Sequence, residues 1–338
     1  MRKLASIQMI DEIHPIPEAD KIECAIIGGW QVVVGKDQFK PGDFCVYFEI
    51  DSILPIKPEY EFLRKSCYIK DPEGFRLKTV RLRGQISQGL AIPVSSTNLI
   101  KECFFDPNLH AHDIGYDVTE RLGVVKYDPE IHSSLSASAI GNYPSFIPKT
   151  DQERVQNLTR YVHSWSNEKT TWEMTEKLDG TSMTIYHRDG HVGVCSRNLE
   201  LRENLDHDMW KIANLIREPL VKLGNYAIQG ELVGPSVQGN HYKLKHPTFF
   251  VYNVFDIDRY EFLIPTPRYH VCHALGLNHV PIVEYYFKMG GQTVNSLLEL
   301  ADGPSILNPD VPREGYVFKC YDIPGAQFKA ISNIFLLS

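Results

Sequence analysis

Cysteine is scarce and unpatterned in this chain. Its seven thiols among 338 residues are odd in number, and no Cys-x-x-Cys pair occurs. That excludes a disulfide framework and a zinc ribbon, and fits reduced thiols in an intracellular compartment. Long apolar runs are missing too: no uncharged stretch approaches the ~20 residues that span a bilayer, so no membrane segment is expected. Met1-Arg2-Lys3-Leu4-Ala5 opens directly into an apolar strand pattern, without the h-region of a signal peptide. There is no excess of positive charge. At a net charge of −7 the chain as a whole does not attract nucleic acid, and any such binding must come from a local patch. Neither a Gly-x-Ser-x-Gly elbow nor a strand-linked Gly-x-Gly-x-x-Gly appears, which leaves α/β-hydrolase and dehydrogenase chemistry without support.

What is present is globular. Hydrophobic residues make up 43% and charged residues 23%, and the length suggests two domains, or one large domain with an appendage. The first hundred residues read as short strands divided by Gly and Pro turns: Ala5 to Ile10, Glu23 to Ile27, Trp30 to Val34 and, after Pro41-Gly42-Asp43, Phe44 to Ile50. Five or so such strands predict a small β-barrel, with the OB-fold as the kind suited to nucleic acid, over residues 1–100. Residues 101–145 are polar, with few periodic runs, and read as a connecting region ending near Tyr143-Pro144. His110, His112 and Asp113 within it suggest a metal less than a solvated loop.

Residues 146–338 mix strands and helices. Asp189-Gly190 suits a type I′ turn between two strands. Met209, Ile212, Leu215, Ile216, Leu220 and Leu223 fall at helical spacing before Gly224, a suitable C′ residue. Strands are predicted at Tyr226–Val233, Phe249–Ile257, Ile282–Phe287, Tyr316–Cys320 and Gln327–Ser332, with helices near Arg268–Leu275 and Val294–Ala301. The pattern predicts an α+β domain around antiparallel strands, without a βαβ rhythm.

One local patch is basic. Phe75-Arg76-Leu77-Lys78-Thr79-Val80-Arg81-Leu82-Arg83-Gly84 carries four cations and no acid. On an alternating strand Arg76 and Lys78 share a face, as do Arg81 and Arg83, and such a face can track a phosphate backbone. A solvated outer strand face has the same pattern.

The chemistry concentrates after Trp172. Lys177 lies in Thr175-Glu176-Lys177-Leu178-Asp179-Gly180-Thr181-Ser182, at the end of an alternating strand. Downstream come Ser196-Arg197-Asn198, Gln229-Gly230-Glu231-Leu232-Val233-Gly234, Phe250 to Ile257, Arg313-Glu314-Gly315-Tyr316-Val317-Phe318-Lys319 and Gln327-Phe328-Lys329-Ala330-Ile331-Ser332. Each piece alone is a common strand-end pattern. In this order they resemble the motifs of the covalent nucleotidyltransferase superfamily of polynucleotide ligases and mRNA capping enzymes. Ser182 stands where DNA ligases and capping enzymes carry arginine. The segment Phe146-Ile147-Pro148-Lys149-Thr150-Asp151-Gln152-Glu153-Arg154, the opening region with Ala19-Asp20-Lys21-Ile22-Glu23, and Phe48 to Pro55 are similar to the nick-sealing RNA ligase 5 family, whose OB domain comes first. The resemblance covers essentially the whole chain.

That resemblance implies an ATP-dependent RNA ligase acting on nicked duplex RNA or an RNA/DNA hybrid, as a monomer. Lys177 would take AMP from ATP, pass it to a 5′-phosphate, and so allow a 3′-hydroxyl to join that end. A lysine is a poor nucleophile while protonated, so its site must favour the neutral amine, as a bound metal does. Asp179, Glu231 and Glu314 are the implied holders of Mg²⁺ or Mn²⁺, largely through water. Glu231 has the ribose as its other implied role. Lys329 and Arg197 are carried over as phosphate contacts, with Lys149 and Arg154 for the triphosphate. Phe255 matches the aromatic that stacks on adenine, and backbone groups around Glu176 match those that read its edge. Arg76, Lys78, Arg81 and Arg83 would grip the nucleic acid. One departure stands out: the superfamily's last motif is Lys-x-Lys, whereas Lys329 is flanked by Gln327 and Ile331, which leaves Lys319 or Arg313 as substitutes. Two other readings follow from the same residues, a GTP-using capping-type enzyme and an OB-fold RNA-binding protein with a vestigial transferase domain.

Overall fold

The computed structural model describes residues 3–93, 114–127, 138–235, 237–323 and 325–338. His110, His112 and Asp113 lie outside them. The chain divides into two compact units, Met1–Pro129 and Glu130–Leu336.

In the first unit the strands are short because the turns between them are built in. Ala5–Met9 and Leu90–Pro93 flank Phe44–Phe48, all antiparallel. Glu12–Pro15, Ile22–Ile27 and Trp30–Gly35 form a second sheet. Ser52–Leu54 and Glu73–Arg76 are the centre of a third, and Thr79–Leu82 with Gln85–Gln88 makes a separate hairpin. Among the described residues the strands do not close into the barrel expected from their spacing. Two backbone breaks explain this. Asp51 adopts φ 65° between Phe44–Phe48 and Ser52–Leu54. Gly89 adopts φ 107°, and a Cβ there would lie 2.4 Å from the Phe48 carbonyl oxygen, so only glycine lets the chain pass from one sheet to the next.

Of the segment read as a connection, residues 114–127 belong to this unit's core, whereas Ala139–Asn142 pairs with Leu199–Leu201 in the second unit. Val118, Leu122 and Val124 pack with Leu4, Ile7 and Phe48. The Thr119 hydroxyl accepts from the backbone N–H groups of Leu4 (2.9 Å) and Ala5 (3.1 Å). Val125–Lys126 then pairs with Ser52–Leu54.

The second unit has two sheets. Thr181–Arg188, His191–Cys195, Tyr226–Val233 and Thr248–Asp256 lie at the centre of an eight-stranded one. The helices Asp208–Leu223 and Pro265–Leu275 cover one of its faces, placing Trp210, Ile216, Leu220 and Val271 against Ile185, Ile228 and Val251. The second helix starts three residues earlier than its apolar spacing predicts, because Pro265 serves as its first turn. Gly224 ends the other helix without the left-handed conformation expected of it, at φ 120° and ψ −158°.

The five-stranded sheet runs Glu153–Arg154, Gln327–Ile331, Gly315–Cys320, Thr171–Lys177, Ile282–Lys288. Trp165, Trp172, Phe318 and Phe328 fill the core beneath it, with the Phe318 and Phe328 rings stacked 4.7 Å apart. Truncating Phe328 to alanine there would cost about 3–5 kcal/mol.

Candidate active site

Lys177 is the last residue of Thr171–Lys177, and after a three-residue link the chain enters Thr181–Arg188 of the other sheet. The link is Leu178-Asp179-Gly180. A Cβ on Gly180 would lie 2.4 Å from the Leu232 carbonyl oxygen, so the glycine is what allows the link to pass the neighbouring strand. Register completes the site. Lys177 pairs with Gly315, which brings Glu314 alongside, and Ser182 pairs with Glu231. A cleft between the sheets is lined by Lys177, Glu231, Tyr252, Gln152 and Lys319 among others.

The Lys177 ammonium donates to Glu314 Oε2 at 2.7 Å, with the two side chains 25% and 14% exposed. Burial disfavours the charged lysine, but Glu314, then Glu231 and Asp179, outweigh it and hold its pKa above the ordinary lysine range. Burial first, then Glu314, push the Asp179 carboxyl up to about 6. Burial likewise lifts Glu231 to about 8, where Lys177 opposes the shift and Glu314 and Asp179 add to it. Three carboxyl groups therefore crowd one ammonium, an excess of negative charge that suits a divalent cation. Among the described residues, no three His, Cys, Asp or Glu side chains converge as direct metal ligands. The donor set fits a hydrated ion held partly through water.

The predicted phosphate contacts come from both sheets. Lys329 lies 3.4 Å from Asp151 Oδ1 and Arg197 lies 3.7 Å from Asp151 Oδ2. Lys149 donates to Asn198 Oδ1 at 2.9 Å, next to Arg197 in the chain. Arg154 is buried and pairs in register with Lys329.

One assignment changes. Phe255 is 1% exposed and packs with Ile147, Tyr186, Cys195 and Ala227, with Tyr260 and Phe262 against its ring. It does not line the cleft; Tyr252 does. Glu176 lines the cleft with Thr175 and Leu178, as expected of a segment whose backbone faces the base. Its N–H donates to the Pro281 carbonyl (2.9 Å), and its buried carboxylate accepts from Ser305 Oγ (2.5 Å) and Ile306 N–H (2.8 Å), which fastens the 305–306 loop. Of the substitutes for the missing lysine, Arg313 stacks on Tyr316, 4.6 Å from its centroid. Lys319 lies in the cleft opposite Gln327 in register, but its amine is engaged by the neighbouring strand.

Tyr242 and Tyr252 escaped the sequence reading. The Asp179 N–H donates to the Tyr242 hydroxyl at 2.6 Å, which fixes the link after Lys177. Tyr252 lies inside the aromatic-rich motif Phe250 to Ile257, where Phe255 is singled out instead, and no motif marks Tyr242.

In the first unit the basic segment is not one strand. Arg76 ends Glu73–Arg76 and stacks on Tyr127, 3.4 Å from its centroid. Leu77 turns inward, its N–H on the Ser52 carbonyl and its carbonyl on the Asp51 N–H, so exposed Lys78 falls between strands. Arg81 lies on the hairpin, and Arg83 (φ 50°) with Gly84 (φ 84°) forms its tip. No Asp or Glu occurs from Gly74 to Lys101.

Comparison with known proteins agrees with this arrangement. A family model described as an OB-fold domain matches residues 4–94, and one described as RNA ligase matches residues 170–331. A comparison with curated proteins gives no match. The Naegleria gruberi RNA ligase solved with pyrophosphate is 43% identical at a TM-score of 0.88, over 99% of this chain and 98% of that one. Variants of the same ligase solved with ATP and Mn and with AMP and Mn give the same identity, coverage and TM-score. No helix among the described residues is long and apolar enough to cross a membrane. Identity of this extent over both units, with the Lys177 cleft in place, makes the chain a member of the RNA ligase family.

Proposed function

We propose that this ATP-dependent RNA ligase seals 3′-hydroxyl/5′-phosphate nicks in duplex RNA or RNA/DNA hybrids, with Lys177 as its nucleophile. The observation that carries the reading is the Lys177 amine, 2.7 Å from Glu314 at the mouth of a cleft bordered by Glu231 and Tyr252. The ammonium must first lose its proton, which a metal held near Glu314 would favour by drawing that carboxylate away from the ion pair. The neutral amine then attacks the α-phosphorus of ATP, forming a P–N bond as the bond to pyrophosphate breaks. A 5′-phosphate oxygen next attacks the same phosphorus and releases Lys177, and the 3′-hydroxyl finally displaces AMP from the activated end.

Arg197 and Lys329 bracket an exposed acidic side chain, Asp151, from two sides. Exposed pairs of this kind are weak, so a phosphate can displace the carboxylate. Mg²⁺ or Mn²⁺ held by Asp179, Glu231 and Glu314, largely through water, would supply positive charge that favours the neutral lysine and offsets the triphosphate. Lys78, Arg81 and Arg83 are exposed. With Arg76 they belong to a segment without an acidic residue, suited to the phosphate backbone of the duplex. Free cysteines throughout the described residues support a reducing, intracellular compartment.

The test is transfer of α-labelled ATP to the protein, with GTP in parallel, followed by sealing of a nicked duplex. Acid-stable label from ATP that is absent in Lys177→Ala is expected. Label from GTP in preference to ATP would point to capping chemistry instead.

A further inference from the structure

A side chain with no part in the steps proposed above, Lys319, crosses from one sheet to the other inside the cleft. Thr248–Asp256 pairs with Tyr226–Val233, but the register breaks: Gln229 faces Asn253 and Gly230 faces Val251, so Tyr252 is an extra residue without a partner opposite. This is a β-bulge, and bulges near active sites re-aim side chains. It forms beside Gly230, where a Cβ would lie 2.4 Å from the Phe250 carbonyl oxygen. The bulge shifts the alternation of the strand. Phe249, Val251 and Val254 face the helices, whereas Phe250 and Tyr252 turn toward Leu178, Tyr242 and Val280 on the cleft side.

A bulge interrupts the ladder and leaves backbone groups to be satisfied elsewhere. Here the donor comes from the opposite sheet. Lys319, on Gly315–Cys320, donates from Nζ to the Tyr252 carbonyl oxygen and to Asn253 Oδ1, each at 2.5 Å. Its base is braced. Glu173, directly opposite Lys319 in register, is fully buried and accepts two bonds from Arg268 Nη2, at 2.6 and 2.5 Å. Beyond the bulge the chain of contacts continues. The Asn253 amide donates to Gln229 at 3.5 Å, and Gln229 donates to the Pro148 carbonyl at 2.9 Å, at the start of the segment that carries Lys149 and Asp151. The Tyr252 hydroxyl meets Ser182 Oγ at 3.3 Å.

We propose that Lys319 is a positioning residue for the nucleoside half of the nucleotide. By capping the bulge it holds the Tyr252 ring in the cleft wall, and so it governs how tightly the base and ribose bind without touching phosphate. This rests on the reading of the cleft as the ATP site. Burial, then the neighbouring Arg268, pull Lys319 well below the ordinary lysine range, in keeping with an amine used as a fixed donor.

The test is calorimetric binding of AMP and, separately, of inorganic pyrophosphate to wild type, Lys319→Met, Lys319→Arg and Asn253→Ala. Loss of a buried donor to two acceptors is expected to weaken AMP in Lys319→Met by about tenfold or more. Pyrophosphate should stay within about twofold, since its contacts lie elsewhere. Lys319→Arg, which keeps the donors, should recover most of the AMP affinity. Asn253→Ala, which removes one acceptor and is the milder variant if Lys319→Met does not fold, should weaken AMP alone by a smaller factor.

Pyrophosphate weakened as much as AMP in either variant would make Lys319 a phosphate contact and overturn the proposal. So would unchanged AMP affinity in both variants. Wild type that binds neither ligand would instead remove the cleft's assignment as the nucleotide site, a failure visible before any variant is compared.

Discussion

The two units solve opposite problems. The second buries charge: Lys177, Asp179, Glu231 and Glu314 meet where two sheets adjoin, and Glu173 with Arg268 is sealed beneath them. The first displays charge. Lys78, Arg81 and Arg83 stand exposed on and beside a two-stranded hairpin, in a segment with no acid nearby in the chain. Buried charges act at short range and strongly, and set proton affinities; exposed ones are screened within about 10 Å and act through number. The contrast suits the proposed division of labour, bond chemistry in one unit and grip on a long polyanion in the other.

Perturbations of the two units should therefore separate cleanly. The largest effect belongs to Lys177→Ala, which should reduce protein labelling by α-labelled ATP at least about a thousandfold while leaving binding of nicked duplex nearly unchanged. Removing residues 1–129 should do the reverse. Labelling should stay within a few-fold, while sealing of a nicked duplex falls by about a hundredfold, the scale set by losing a linked binding module. Sealing that survives the deletion would take the first unit out of the substrate site.

Replacing Arg81 and Arg83 together by alanine should weaken duplex binding more modestly. Each phosphate that is no longer neutralised by a side chain lowers the slope of log affinity against log salt by about 0.9, so a titration in salt should show a change near two. An unchanged slope would return the hairpin to an ordinary solvated surface.

The smallest effect is a proton effect in the second unit. Asp179 and Glu231, raised to about 6 and about 8, keep protons that the unfolded chain has already lost. Metal-free protein should therefore lose stability as pH rises from the unfolded carboxylate range through about 8. Glu231→Gln should flatten the fall of melting temperature between pH 6 and pH 8, measured with chelator present. A slope as steep as wild type would assign it to other groups.

Much of the site was legible because backbone pairing, which sequence reports well, is what assembles it. Lys177 ends an alternating strand, Glu314 precedes a glycine at a strand start, and antiparallel register then puts them side by side. Phe255 was misplaced for a reason of the same kind. Alternation carries no mark of the extra residue at Tyr252, and nothing in the motif marks the short strand Glu261–Phe262, which folds back on Phe255 and covers it. The first unit's strands were recognisable, but not their division into separate sheets, which depends on positive φ at Asp51 and Gly89. The deep pair Glu173–Arg268 was invisible for want of any pattern linking residues 95 apart.

Gly180 has a wider consequence. The span between Lys177 and Thr181 ties the sheet of Lys177 covalently to the strand paired with Glu231. A single methyl group at Gly180 would drive into the Leu232 carbonyl. The most diagnostic letters of the chain thus carry two obligations at once, reactivity and joinery. A substitution at this glycine would be felt first as misfit between two sheets, so the residue constrains assembly as firmly as its neighbours constrain reaction.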